Sequence, residues 1–152
     1  MNCINNHNEH NESDDVVSAL ENVLQKILDM QLSCITTVRI FTHPPLPIYL
    51  VCKAVCILLN KQFIPNPPDA GHTFEWWPTI QKMLNNPKFK FEIAKFTNEQ
   101  KDKIPEETIS KIQPLLNEEA FSKMSSCGVC TGLLHDWVIA IVNYHNYIKK
   151  ND

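Results

Sequence analysis

Val17, Leu20, Leu24, Ile27, Cys34, Val38 and Phe41 follow one another at alternating steps of three and four, with Gln31 as the polar member of the series. A period of 3.5 held over this length is the pattern of a coiled-coil seam rather than of an ordinary amphipathic helix. Ser13 supplies a cap, and Asp14 and Asp15 fill the first turn, where the helix dipole favours acids. The pattern predicts one helix over 13–41, a rod of roughly 43 Å. Pro44, Pro45 and Pro47 then stop it near Thr42, because proline disfavours helix in the residue before it and cannot donate in a helix interior. Pro47 can open the next helix, where its missing N–H costs nothing.

The other end of the chain carries a second seam. Leu134, Trp137, Ile141, Tyr144 and Ile148 again step by three and four, and Lys149 and Lys150 close the helix at its dipole-favoured end. The plainer outcome is a terminal helix packed on a globular core. The more specific one is an antiparallel pair, with the chain turning round between the two seams.

Between them, Ile48 to Leu59 is apolar almost all round, which predicts a buried central helix. After the Pro-rich loop "KQFIPNPPDAGH", a helix in "FEWWPTIQKMLNNPKF" places Trp77, Ile80 and Leu84 on one face. A short helix in "KFKFEIAKF" buries Phe89, Ile93 and Phe96. "KIPEETISKIQPLL" opens on Pro105, Glu106 and Glu107 and is expected to end at Pro114. A last short helix covers Glu118 to Met124. No alternating strand pattern occurs, so the fold class is all-α: a bundle of about five to six short helices mounted on a two-helix antiparallel coiled coil. The expected organisation is a disordered polar tail over 1–12, a first rod helix over 13–41, a helical head over 42–131 and a second rod helix over 132–152.

Formal charge is −3 over 152 residues, which removes the whole-molecule basic field that gathers nucleic acid. The acids are concentrated in residues 1–41, with six against two basic residues, whereas residues 42–131 hold ten Lys against nine acids. An anionic partner would therefore be met by a local patch of the head. No apolar run is long enough to span a bilayer, and "MNCINNHNEHNESDD" lacks the regions of a signal peptide, so a cytoplasmic location without membrane contact is expected.

Cys34, Cys52 and Cys56 are expected as small buried hydrophobes. Cys127 and Cys130 have zinc-ligand spacing, but Cys52 and Cys56 are spaced by three intervening residues and no His stands at finger spacing, so no metal is expected. No Gly-rich phosphate loop, nucleophile motif or convergent carboxylate pair occurs; no cofactor and no enzymatic activity are expected. His135 and His145 are placed on exposed flanks of the last helix, and at least one of Trp76 and Trp77 in the core.

"HPPLPIYLVCKAVCILL" resembles the Lys-Lys-Pro-Pro turn and following "AVCIL" helix of dynein heavy chains, where the stalk meets its microtubule-binding tip. "WWPTIQKMLNNPKF", "KIPEETISKI" and "LLHDWVIAIVNY" resemble further segments of that region in the same order, so the likeness runs from about Ala19 to Tyr147. It implies a stalk tip that docks on α/β-tubulin in microtubules, belonging to the cytoskeleton in the cytoplasm or in a ciliary axoneme, with the ATPase ring in a far longer polypeptide. It also implies that sliding of one seam helix against the other sets microtubule affinity. The fragment itself is expected to be a monomer.

In the family, basic side chains on the first head helix, the third helix and the helix leading into the closing seam meet the acidic tubulin surface. Matched position by position, these fall on Tyr49, Lys88 and Ser125, two of them uncharged here. Lys53, one turn from Tyr49, is the nearest substitute cation, with Lys90 and Lys123 as further candidates. A specialised tip that acts as a spacer, or binds another cytoskeletal protein through the Trp76 and Trp77 region, is the alternative.

Overall fold

The computed structural model describes residues 3–65, 74–123 and 129–151, with side chains from Asp14 onward. The helices are α1 (Cys3–Asp29), α2 (Leu32–Arg39), α3 (Leu46–Leu58), α4 (Trp77–Asn85), α5 (Phe89–Gln100), α6 (Glu106–Leu116), α7 (Glu119–Ser122) and α8 (Val129–Lys150). Among the described residues there is no strand.

The two seams do pair. Met30 at the end of α1 meets Cys130 near the start of α8, thiol to thioether at 3.2 Å. At the other end Val17 and Leu20 share a crevice with Tyr144, so the helices run antiparallel. Leu20, Leu24, Ile27, Val38, Leu134, Trp137, Ile141 and Tyr144 are buried, and Cys34 and Ile148 are half-buried.

The single rod expected over 13–41 is instead two helices, broken at Met30 and Gln31. Gln31 is extended (φ −74°, ψ 142°) and exposed, so it is not a seam member. Burial passes to Met30 and Ile35, a spacing that no continuous 3.5 period produces. At its other end α1 starts at Cys3, before the Ser13 cap and within the stretch expected to be a disordered tail. Propagating a helix outward from packed turns adds one hydrogen bond per residue fixed, so burial is not required of every turn.

The proline turn behaves as its chemistry dictates. Pro45 stands just before α3 and Pro47 lies in its first turn. The α4 helix braces the end of α2 across this turn: the Trp77 indole N–H donates to Phe41 O at 2.9 Å and the Gln81 amide to Arg39 O at 2.9 Å. Arg39 in turn donates to the Asn85 side chain. Carbonyls left open by the end of one helix are thus satisfied by side chains of another.

α3 is the hub, packed against α4, α6, α7 and α8. Val51, Cys52, Ala54, Val55 and Cys56 are wholly buried, and each buried Val is worth about 1.5–3 kcal/mol of transfer free energy. The helix ends on Asn60 at φ 56°. Lys61 N–H donates to Cys56 O at 2.9 Å and Asn60 N–H to Ile57 O at 3.1 Å, the paired bonds of a left-handed helix stop.

α5 runs back along the rod. Phe89 and Ile93 are buried and Phe96 is half-buried, its ring 5.9 Å edge-on from Trp137. The pair α1 and α8 is therefore flanked by a third helix. α6 continues through Pro114 to Leu116 rather than ending there. Pro114 and Ser110, whose carbonyl the proline leaves open, both face solvent, while Leu115 is buried and holds the added turn.

Candidate functional site

Asn86 shapes the turn that presents α5. Its side-chain oxygen accepts from Lys88 N–H at 2.9 Å, its backbone carbonyl from Phe89 N–H at 3.0 Å, and its amide donates to Glu92 at 2.6 Å. Lys88 is thereby held at the start of the helix with its side chain exposed. Phe91, 63% exposed, and exposed Lys95 follow at steps of three and four, on the same outward face. Phe91 and Lys95 were missed in the sequence, although the helical spacing of the lysines was there to find.

Tyr49 does not belong to a surface. It is buried, its ring stacks on Phe74 at 4.3 Å between centroids, and its hydroxyl accepts from Trp76 N–H at 3.1 Å. Burial pushes its hydroxyl pKa up, opposed by that N–H. A tyrosine ring is apolar over most of its area, so it packs inward where a Lys or Arg would reach out. Lys53 is half-buried, with its ammonium 5.9 Å from the centre of the Trp76 ring. Phe63 meets the same ring edge-on at 5.1 Å. Of the two tryptophans, Trp77 is buried and Trp76 half-buried.

Lys90 points inward too. Its ammonium donates to Leu28 O at 2.9 Å and to Met30 O at 2.6 Å. These carbonyls lie at the broken end of α1, where a helix leaves acceptors open. Lys123 is exposed and pairs with Glu119 at 3.3 Å. Ser125 lies outside the described residues. The candidate cations thus divide: Lys53, Lys88 and Lys123 lie on α3, the α4–α5 turn and the end of α7, whereas Lys90 is used within the fold.

A cleft of about 540 Å³ opens beside the same turn, lined by Lys61, Thr79, Lys82, Met83, Asn85 and Asn86, among others. Lys61 is already paired with Glu92; Lys82 is exposed.

The closing helix also departs from expectation. His145 is buried rather than exposed, with Nε2 3.0 Å from the Glu106 carboxylate, and Lys149 reaches the other carboxylate oxygen at 2.8 Å. His135 is half-buried against Phe121, at 4.9 Å between rings. Glu106 sits in the first turn of α6, where the helix dipole favours an acid, and it meets α8 through His145 and Lys149. Cys52 and Cys56 are buried as expected. Burial pushes the Cys52 thiol up to about 12 and the Cys56 thiol higher still. Cys127 lies outside the described residues.

No protein-family model matches the chain. Its fold does match a solved structure, "Microtubule Binding Domain of DYNEIN-C", with a TM-score of 0.72 and 25% identity over 91% of this chain and 90% of that one. In sequence it is 30% identical over 141 residues to Dynein axonemal heavy chain 14 of Homo sapiens, a match that covers 91% of this chain. Over nine-tenths of its length the chain is homologous to dynein heavy chains. Dynein axonemal heavy chain 3 of Mus musculus is 28% identical over 144 residues, covering 89% of this chain. The cytoplasmic dynein heavy chain of Neurospora crassa is 28% identical over 133 residues, covering 87%. The chain spans about 4%, 3% and 3% of the lengths of those three relatives. The likeness to the solved domain runs over nine-tenths of this chain, so it takes in both the antiparallel α1–α8 pair and the α3–α7 head.

Proposed function

We propose that this chain is the microtubule-binding tip of a dynein stalk, which grips α/β-tubulin reversibly with an affinity set by the register of α1 against α8. The carrying observation is the shared architecture with the dynein-C microtubule-binding domain over nine-tenths of both chains. The grip would come from cations of the head, namely half-buried Lys53 beside Trp76, the exposed Lys88–Phe91–Lys95 face of α5 and Lys123, with Ser125 as a further contact. Hydrolysis of ATP would belong to another part of a full-length heavy chain. The tip would act as a monomer on the cytoskeleton, in the cytoplasm or an axoneme, without nucleic acid or membrane.

Exposed ion pairs contribute about 0–1 kcal/mol each and are screened by salt, so affinity must be the sum of several and must fall with ionic strength. Co-sedimentation with microtubules across a salt series tests this. Binding at low salt that fades as salt rises is expected. Failure to pellet at low ionic strength, with the stalk register held by a crosslink, would remove the microtubule function.

A spacer role is favoured by one observation: Tyr49 is buried and Lys90 is engaged inside the fold, which thins the cationic face. Charge reversal at Lys53 and Lys88 separates the two functions. A microtubule grip predicts a loss of up to about fivefold for each reversal, the equivalent of about 1 kcal/mol. Unchanged pelleting favours the spacer.

A further inference from the structure

The head holds the two stalk helices in different ways. α8 is tied at successive levels by side-chain bonds to the segment from α5 to α6. Trp137 N–H donates to Thr97 Oγ1 at 3.0 Å, Tyr144 donates to Asp102, and His145 and Lys149 meet Glu106 at 3.0 and 2.8 Å. Each of these pairs is specific to one position along α8, so together they define its height on the head. α1 brings Val17, Leu20 and Leu24 to a crevice shared with Thr97, Asn98 and Lys101, and Lys90 reaches the carbonyls at its end.

Lys90 bonds differently from the others. It caps backbone carbonyls, Leu28 O and Met30 O, and not a side chain. Carbonyls inside a helix are already occupied by N–H groups four residues on, so a donor arriving from outside finds acceptors at the helix end. Lys90 therefore recognises where α1 stops. Displacing α1 by one turn carries that end about 5.4 Å away, beyond hydrogen-bond reach of a donor fixed at the start of α5.

We propose that Lys90 is the positioning residue that latches α1 in its present register against α8, by capping the carbonyls at the Met30–Gln31 break. The latch rests on the stalk-tip function for its biological meaning but not for its physics. α8 carries position-specific side-chain bonds to the head, and the break in α1 is the feature that makes its register legible to the head.

Cysteine crosslinking reads this directly. Asn22 on α1 lies in a groove with Asp136, Ile139 and Asn143 of α8. In oxidised samples of the whole chain, Asn22→Cys is expected to crosslink best with Ile139→Cys, and less with Asp136→Cys or Asn143→Cys, which sit one turn to either side. Hydrogen bonds from a charged donor are strong enough that Lys90→Met should move the yields toward one of the outer partners by roughly tenfold. Lys90→Arg, which keeps a charged donor, should restore the pattern. Circular dichroism checks that each variant is folded; should Lys90→Met fail to fold, Lys90→Gln replaces it and is expected to give a smaller shift in the same sense. A folded Lys90→Met or Lys90→Gln with the unmodified pattern of crosslinks overturns the latch. The readout contains no microtubules, so a shifted pattern in a chain that never pellets would keep the latch and remove the microtubule function.

Discussion

Trp137 of α8 and Thr97 of α5 share a buried hydrogen bond, indole Nε1 to hydroxyl Oγ1 at 3.0 Å, and the same hydroxyl donates to Ile93 O at 2.7 Å. The threonine thus serves as acceptor for one helix and donor to its own. Both residues are buried, so removing one partner strands the other away from water. Thr97→Val keeps the shape, leaves the indole N–H unpaired, and is expected to lower stability by about 1–3 kcal/mol. Urea unfolding checks this; Thr97→Ser should recover most of the loss.

Seam positions that differ in burial should differ in cost. Ile27 is wholly buried, and Ile27→Ala should destabilise by about 2–5 kcal/mol. Gln31 is exposed, so Gln31→Ala should stay within about 0.5 kcal/mol of the parent. Equal losses at the two positions would mean that the helix runs unbroken through Gln31.

Lys149, and next His145, hold the Glu106 carboxyl below its usual range. A carboxylate whose pKa is depressed on folding adds stability above its unfolded value, here near 4.5, and loses it as pH falls through the folded value. Stabilities of the parent and Glu106→Gln should therefore differ at pH 6 to 7, and the difference should shrink as pH falls below the unfolded value near 4.5. A difference that grows on acidification would contradict the contact.

Thiol reactivity should follow burial. With its pKa near 12, Cys52 is thiolate in only about one molecule in ten thousand at pH 8, and the thiolate is the nucleophile. Of the described cysteines, half-buried Cys34 should take up iodoacetamide first, and Cys52 and Cys56 only as the chain unfolds. Mass spectrometry of labelled peptides along a urea series gives the order.

Much of the architecture was legible because it rests on local chemistry. The two seams, the proline stop before Leu46, the wholly apolar α3 and the Trp77–Ile80–Leu84 face of α4 each follow from spacing or from the missing N–H of proline. The α1–α8 pairing itself was readable from two seams of equal period. The break at Met30 was not, since Gln31 sits on the seam period and nothing nearby in sequence demands that it leave. Pro114 misled in the other direction, because a solvent-facing proline can be carried when the next residue, Leu115, is buried.

Site residues were less readable, for a physical reason. A lysine has the same local pattern whether its ammonium faces solvent, lies over a ring as Lys53 does, or caps a helix 60 residues away as Lys90 does. The amino-acid sequence by itself determined where helices could start, which faces they would bury and where the chain had to turn, because periodicity and proline act within a few residues. The tertiary structure alone decided which polar groups meet: Lys90 with the end of α1, Trp137 with Thr97, and His145 with Glu106. Those partners lie 39 to 62 positions apart, and only the packing of helices brings them within 3 Å.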